Sequence, residues 1–232
     1  MVIVPFGRGD PSPTDGVPNS NLSVHKFLFI ELFIKERNKM KKLLITGFEP
    51  FGGEVINPSW EAVLRLPEVV GDYQLTKLLV PVVFGEAAEV VTCAADELCP
   101  DVILCIGQAG GRAAITPEQV GINLRYAPIP DNKGNQPTDE PIISGGATAY
   151  FSTLPVRKIA EAIKASGVPS QVSYSAGAYV CNDVLYSLLH HYDHTDVKVG
   201  FIHVPYIKEQ EKEPSMELND IVSALKIALE SI

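Results

Sequence analysis

An α/β fold is predicted for this 232-residue chain: a single domain built on an open, mostly parallel twisted sheet with helices on both faces. Three observations predict it. Short apolar runs ending in glycine, "KKLLITG" (41–47) and "PDVILCIG" (100–107), read as buried strands. Segments of helical period separate them, as in "GEAAEVVTCAADEL" (85–98) and "PVRKIAEAIKASG" (155–167). The two patterns then alternate along the chain, as parallel sheets with crossover helices require.

Taken in order, the first strand is followed by "NPSWEAVLRL" (57–66). There Asn57 suits an N-cap and Pro58 the first helical position. "YQLTKLLVPVVF" (73–84) has β-type apolar content and leads into the helix of 85–98. After "PDVILCIG" comes a polar stretch, residues 108–141, loaded with Gly, Pro, Asn and Asp. A loop of that length inside a compact domain points to function or to disorder. Beyond the helix of 155–167, "SQVSYSA" (170–176) reads as a strand and "VCNDVLYSLLHH" (180–191) as a helix. "VKVGFIHVPY" (197–206) is a further strand and "SMELNDIVSALKIALESI" (215–232) a terminal helix.

Residues 1–39 differ in character. They open with a Pro/Gly/Ser/Asp-rich arm and continue into a short apolar run, "FLFIELFI", which Glu31 interrupts and no small-residue cleavage site follows. The expectation is a disordered or non-native extension, with the functional domain at 40–232. Translation from Met40 is the sharper form of that expectation. Lys35-Glu36-Arg37 can be encoded by a purine-rich stretch resembling a ribosome-binding site just upstream of the Met40 codon.

Composition excludes several classes. The net charge is −9, the acidic excess falls on 40–232, and no basic cluster is present to follow a phosphate backbone, so nucleic acid is not an expected partner. No run approaches the roughly 20 apolar residues of a membrane helix. Four cysteines in a chain of this length suit reduced thiols of a cytoplasmic protein rather than a disulfide framework. Cys93, Cys99 and Cys105 are assigned to packing. "HHYDH" (190–194) places His190 and His194 four apart, but a solvated helix end accounts for them without a metal. "GQAGGR" lacks the spacing of a phosphate loop.

Three chemically able residues fall where α/β sheets bind ligands, beyond the carboxyl ends of strands. Cys181 lies near the amino end of a helix, His203 closes a strand, and Glu118 lies in the loop region after "DVILCIG". A thiol, an imidazole and a carboxylate together make an activated nucleophile with an oriented acid/base. Each also has a packing role open to it: Cys181 as a small apolar filler, His203 as a satisfied core histidine, Glu118 as a helix-start carboxylate after Pro117. The residues by themselves reach an α/β protein with a candidate thiol nucleophile.

Five blocks then resemble the type I pyroglutamyl peptidases, also called pyrrolidone-carboxylate peptidases. They are "TGFEPFGGEVINPSWEAV" (46–63), "IGQAGGRAAITPEQVGIN" (106–123), "IPDNKGNQPTDEP" (129–141), "AGAYVCND" (176–183) and "GFIHVPYI" (200–207). The resemblance implies a cytoplasmic cysteine peptidase, without cofactor or metal, that removes an N-terminal pyroglutamyl residue from peptides. A homotetramer is the family's usual assembly. By position, the resemblance assigns Cys181 as nucleophile, His203 as acid/base and Glu118 as its orienting carboxylate. Phe48 and Phe51 flank the lactam ring, and Asn57, Gln108, Ile129, Tyr179 and Val180 fall at the substrate site. Three positions depart from the family pattern. Pro128 stands where arginine is common at a position linked to oxyanion stabilisation, Tyr179 replaces phenylalanine, and Gln119 replaces arginine. Pro128 therefore raises an alternative, a pyroglutamyl-binding homologue with little turnover, in which Arg125 or another donor has not substituted. A nucleoside phosphorylase-like enzyme on a related scaffold is the third reading that the fold permits.

Overall fold

The computed structural model describes residues 40–232, so the predicted arm at 1–39 lies outside the described residues. Along the chain the elements are β1 (Lys41–Phe48), α1 (Pro58–Arg65), β2 (Val69–Val70), β3 (Tyr73–Val80), α2 (Glu86–Leu98), β4 (Val102–Gln108), β5 (Thr116–Pro117), β6 (Val120–Ile122), β7 (Ala149–Phe151), α3 (Val156–Ala165), α4 (Val180–His191), β8 (Lys198–Val204), β9 (Tyr206–Ile207), β10 (Ser215–Met216) and α5 (Leu218–Glu230). The main sheet has the order β2-β3-β1-β4-β8-β5. Its four long strands run parallel, and the short edges β2 and β5 are antiparallel to their neighbours.

Period-two alternation sorts the strand side chains onto two faces. Leu43 and Ile45 of β1, Leu104 and Ile106 of β4, and Ile202 and Val204 of β8 meet α1, α3 and α5. Leu44, Phe48, Ile103, Cys105, Val199 and Phe201 meet α2 and α4 on the opposite face. Most of these side chains are fully buried, each worth about 1.5–3 kcal/mol of apolar transfer. Asn57 caps α1 as its sequence suggests: Ser59 N–H donates to Asn57 Oδ1 at 3.0 Å, with Pro58 in the first turn. Gly47 permits the close seat of that helix, since a Cβ there would stand 2.7 Å from Trp60 Cα.

Two expectations are corrected. "SQVSYSA" forms no strand; only single bridges, Ile115 with Ser170 and Glu118 with Ser173, attach it. Its serines satisfy the local backbone instead: Ser173 Oγ donates to Ser175 O, and Gly177 N–H donates to Ser175 Oγ. Such side-chain turns compete with a ladder. Cys105 is buried, but Cys93 and Cys99 are exposed on the outer side and C-cap of α2, so only one of the three packs. Helix α4 ends at His191, and His194 lies past it at φ 62, so His190 and His194 share no helical face. Among the described residues no group of three or more His, Cys, Asp or Glu side chains is placed to hold a metal ion.

Candidate active site

The carboxyl ends of β1, β4 and β8 carry the site on the face that α2 and α4 cover. Gly107 and His203 are register partners on β4 and β8, and Thr116 of β5 pairs His203 from the other side. Cys181, in the first turn of α4, stands directly over Gly107. A Cβ on Gly107 would lie 2.7 Å from the Phe201 ring and 3.0 Å from Cys181 Sγ. The glycine is thus the gap in the strand that admits the thiol. Helix α4 has no side-chain N-cap, and its first backbone bond runs from Asp183 N–H to Tyr179 O. The N–H groups of Val180 and Cys181 precede that bond and have no intrahelical acceptor.

His203 is 4% exposed and Glu118 is fully buried. Glu118 Oε1 accepts from His203 Nδ1 at 2.7 Å, which leaves Nε2 as the nitrogen free for the cavity. The same oxygen accepts from Arg112 Nη1 at 2.6 Å, while Oε2 has no partner among the described residues. Burial alone would push the Glu118 carboxyl up. The His203 hydrogen bond and charge, with help from Arg112, outweigh it and hold the group below the usual glutamate range. Arg112 also donates to Thr116 Oγ1 at 2.7 Å and to Ser175 O at 3.1 Å, tying the loop before α4 to the carboxylate. The Cys181 thiol is pushed up to about 12, first by burial and then by the Glu118 charge, with Arg112 acting in the other direction.

Cys181 and His203 open into one cavity of about 430 Å³. Phe48, Phe51, Asn57, Gln108, Tyr179 and Val180 line it, as does Arg112. Phe51 and Tyr179 lie with ring centroids 6.1 Å apart, and Phe84 meets Tyr179 edge-on at 5.2 Å. The Asn57 amide is largely spent on structure. Its Oδ1 caps α1 and its Nδ2 donates to Glu49 O at 2.9 Å. Ile129 is the one predicted pocket residue outside this lining; it is 43% exposed beside the Gly52 turn.

Residues 41–232 match the family model for pyroglutamyl peptidase. The chain belongs to the pyroglutamyl peptidase family. The pyrrolidone-carboxylate peptidase of Bacillus amyloliquefaciens is 50% identical over 194 residues, 81% of this chain and 90% of that protein. The pyrrolidone-carboxylate peptidase of Escherichia fergusonii is 50% identical over 196 residues, 82% and 92% respectively. Among solved structures, pyroglutamyl peptidase I of B. amyloliquefaciens superposes with a TM-score of 0.79 at 49% identity, covering 82% of this chain and 96% of that one. A mutant pyrrolidone carboxyl peptidase from Pyrococcus furiosus gives 0.78 at 44% identity, covering 82% and 97%.

Within this pyroglutamyl peptidase fold the departures take definite places. Pro128 is exposed and outside the cavity wall, and its carbonyl accepts from Gln136 Nε2 at 3.2 Å. Arg125 does not replace it in the cavity; its Nε donates to Asp183 Oδ1 at 2.6 Å. The relatives reported above are peptidases, and nothing among them favours a binding-only homologue. Tyr179 keeps its ring in the wall and sends its hydroxyl to Pro130 O at 3.1 Å. Gln119 N–H donates to Ser173 O at 2.8 Å.

Sequence reasoning missed Arg112, Asn182 and Asp183. Asn182 Oδ1 accepts from Ile122 N–H, its Nδ2 donates to Ile122 O and Leu124 O, and Asp183 Oδ2 accepts from Gly85 N–H. Asn182 and Asp183 fasten the 122–124 backbone and the start of α2 to the helix that carries the thiol. Their signal was adjacency: two polar residues directly after Cys181, inside a helix whose next residues are apolar.

Proposed function

We propose that the protein hydrolyses the bond after an N-terminal pyroglutamyl residue, with Cys181 as nucleophile, His203 as acid/base and Glu118 as the carboxylate that orients it. The observation carrying this reading is that Cys181 and His203 line one aromatic-walled cavity, with His203 Nδ1 held by a buried carboxylate. Burial pushes the thiol up, which leaves the imidazole to take its proton. Attack on the pyroglutamyl carbonyl then forms the C–S bond as the Sγ proton passes to His203 Nε2. The tetrahedral oxygen is met by the uncapped N–H groups at the start of α4, foremost that of Cys181. His203 returns the proton to the departing peptide amine. Water, deprotonated by the same imidazole, then cleaves the thioester and releases pyroglutamic acid.

Phe48, Phe51 and Tyr179 offer ring faces and edges to a flat, neutral lactam. The test is release of the amine from a pyroglutamyl arylamide. Cys181→Ser is expected to abolish it with the thermal midpoint retained, and persistence of turnover in that variant sinks the nucleophile assignment.

The same reading extends to assembly, compartment and start site. We infer a homotetramer in the cytoplasm, working on pyroglutamyl peptides and beginning at Met40. Four unpaired thiols support a reducing compartment, and exposed Phe151, Val69 and Leu64 supply apolar surface for subunit contacts. Among the described residues no helix is long and apolar enough to cross a membrane. Native mass of protein made from its own locus checks both assembly and start: a monomer, or a product beginning at Met1, overturns the respective part.

A further inference from the structure

Behind the cavity, two glutamines and a glutamate form a chain whose donor directions are dictated at its far end. Ile207 N–H donates to Gln210 Oε1 at 3.1 Å. A backbone N–H can only donate, so Gln210 must present its carbonyl there and its Nε2 elsewhere. That Nε2 donates to Glu54 Oε2 at 3.3 Å and to Gln108 Oε1 at 2.9 Å. Glu54 is paired with Lys212, which holds its carboxyl below the usual range, so it too is acceptor-only. Both hydrogens of Gln210 Nε2 are thereby committed, and Gln108 can meet Gln210 only through its carbonyl. Gln108 is the last residue of β4 and lines the cavity. Its Nε2, with no hydrogen bond to a described residue, is the half of the amide left for a ligand.

Resting on the peptidase reading, we propose that Gln210 is a positioning residue that sets substrate specificity by locking the Gln108 amide with its N–H groups toward the cavity. At that point the wall then donates and does not accept. It matches a ring carbonyl, as in a lactam, and offers nothing to the methylene that a prolyl ring carries there. A free amide would present either end, and half of its orientations would set oxygen against oxygen. The device is a polarity filter two residues deep, started by the Ile207 backbone and ended at Gln108.

Gln210→Glu tests it, because one oxygen of the new carboxylate can still accept from Ile207 N–H while the other can no longer donate. Gln108 must then turn its Nε2 toward residue 210 and its oxygen into the cavity. The KM for a pyroglutamyl arylamide is expected to rise about 10–100-fold with kcat little changed. Calorimetric affinity for 2-pyrrolidone, a bare lactam, should fall by a similar factor, while alkylation of Cys181 by iodoacetamide keeps its wild-type rate. Adding Glu54→Gln removes the new charge repulsion and should leave the loss in place. Unchanged KM and lactam affinity in the folded variants, or a loss confined to kcat, overturns the proposal. In the wild type, the Gln108 side-chain amide resonance must move when 2-pyrrolidone is added, and a stationary resonance also overturns it. A wild type that binds 2-pyrrolidone but cleaves no arylamide sinks the peptidase reading and leaves the filter standing; one that binds neither sinks both.

Discussion

The two faces of the sheet are built from the same strands by the same alternation, yet they diverge at one end. On the face under α1, α3 and α5, Ile106, Ile202 and Val204 keep β4 and β8 aliphatic and buried nearly to their carboxyl ends, where Gln108 closes β4. On the face under α2 and α4, the aliphatic run of Leu44, Ile103 and Val199 gives way at the carboxyl ends to Phe48, Gly107 and His203. Two helix starts differ as well, although the caps do not sort by face, since α2, α3 and α5 also have no side-chain cap. Asn57 closes the amino end of α1, whereas α4 has no side-chain cap and its early N–H groups are left for a ligand. The cavity opens mainly on the second face, and Gln108 reaches it from the end of β4 on the first. The buried strand interiors hold an open cavity at their carboxyl ends.

Substitutions on each side should separate the two roles. The largest effect is expected from Glu118→Gln, which keeps the shape but replaces the charged partner of His203. The kcat/KM for a pyroglutamyl arylamide should fall about 10²–10⁴-fold, and near-wild-type turnover would remove Glu118 from the mechanism. On the opposite face, Ile159→Ala should lower unfolding free energy by about 2–5 kcal/mol in a denaturant titration, as expected for a buried isoleucine, and leave kcat and KM unchanged. A change in kinetic constants there would show the faces to be coupled.

The smallest effect sharpens the comparison through pH. The folded-state pKa of Glu118 is lowered, so its contribution is present above the ordinary glutamate pKa of about 4.3 and is lost as pH falls through the folded value. The thermal midpoint of the wild type should therefore drop more steeply on acidification than that of Glu118→Gln. Equal slopes would mean that the buried carboxylate contributes nothing to acid stability.

Much of the fold was legible because its causes are local and periodic. The apolar runs 43–47 and 102–107 read as buried strands, and Asn57-Pro58 states a helix start in two residues. "SQVSYSA" was misread because its alternation resembles a strand, while the serine turns that defeat the ladder depend on hydroxyl geometry. Cys93 and Cys99 were misassigned because composition does not say which side of α2 faces the sheet. Cys181 and His203 stand out by their places at element ends and Glu118 by its place in the loop region after β4, and the structure brings the three to one site. Arg112 was not: its role depends on meeting Glu118 and Ser175, and only the turn after β4 brings them together.

By itself, then, the sequence determined the α/β alternation, the family, and the three residues with the chemistry to act. Those follow from residue type, period and position along the chain. Tertiary structure decided which glycine would lie under the thiol, which nitrogen of His203 would meet Glu118, and which end of the Gln108 amide would meet Gln210. Each of these is set by partners distant in sequence: Gly107 under Cys181, Glu118 on Nδ1, and Gln210 held by the Ile207 backbone. Hydrogen-bond polarity and close approach are properties of pairs, and the pairs exist only once the sheet has brought its strand ends together.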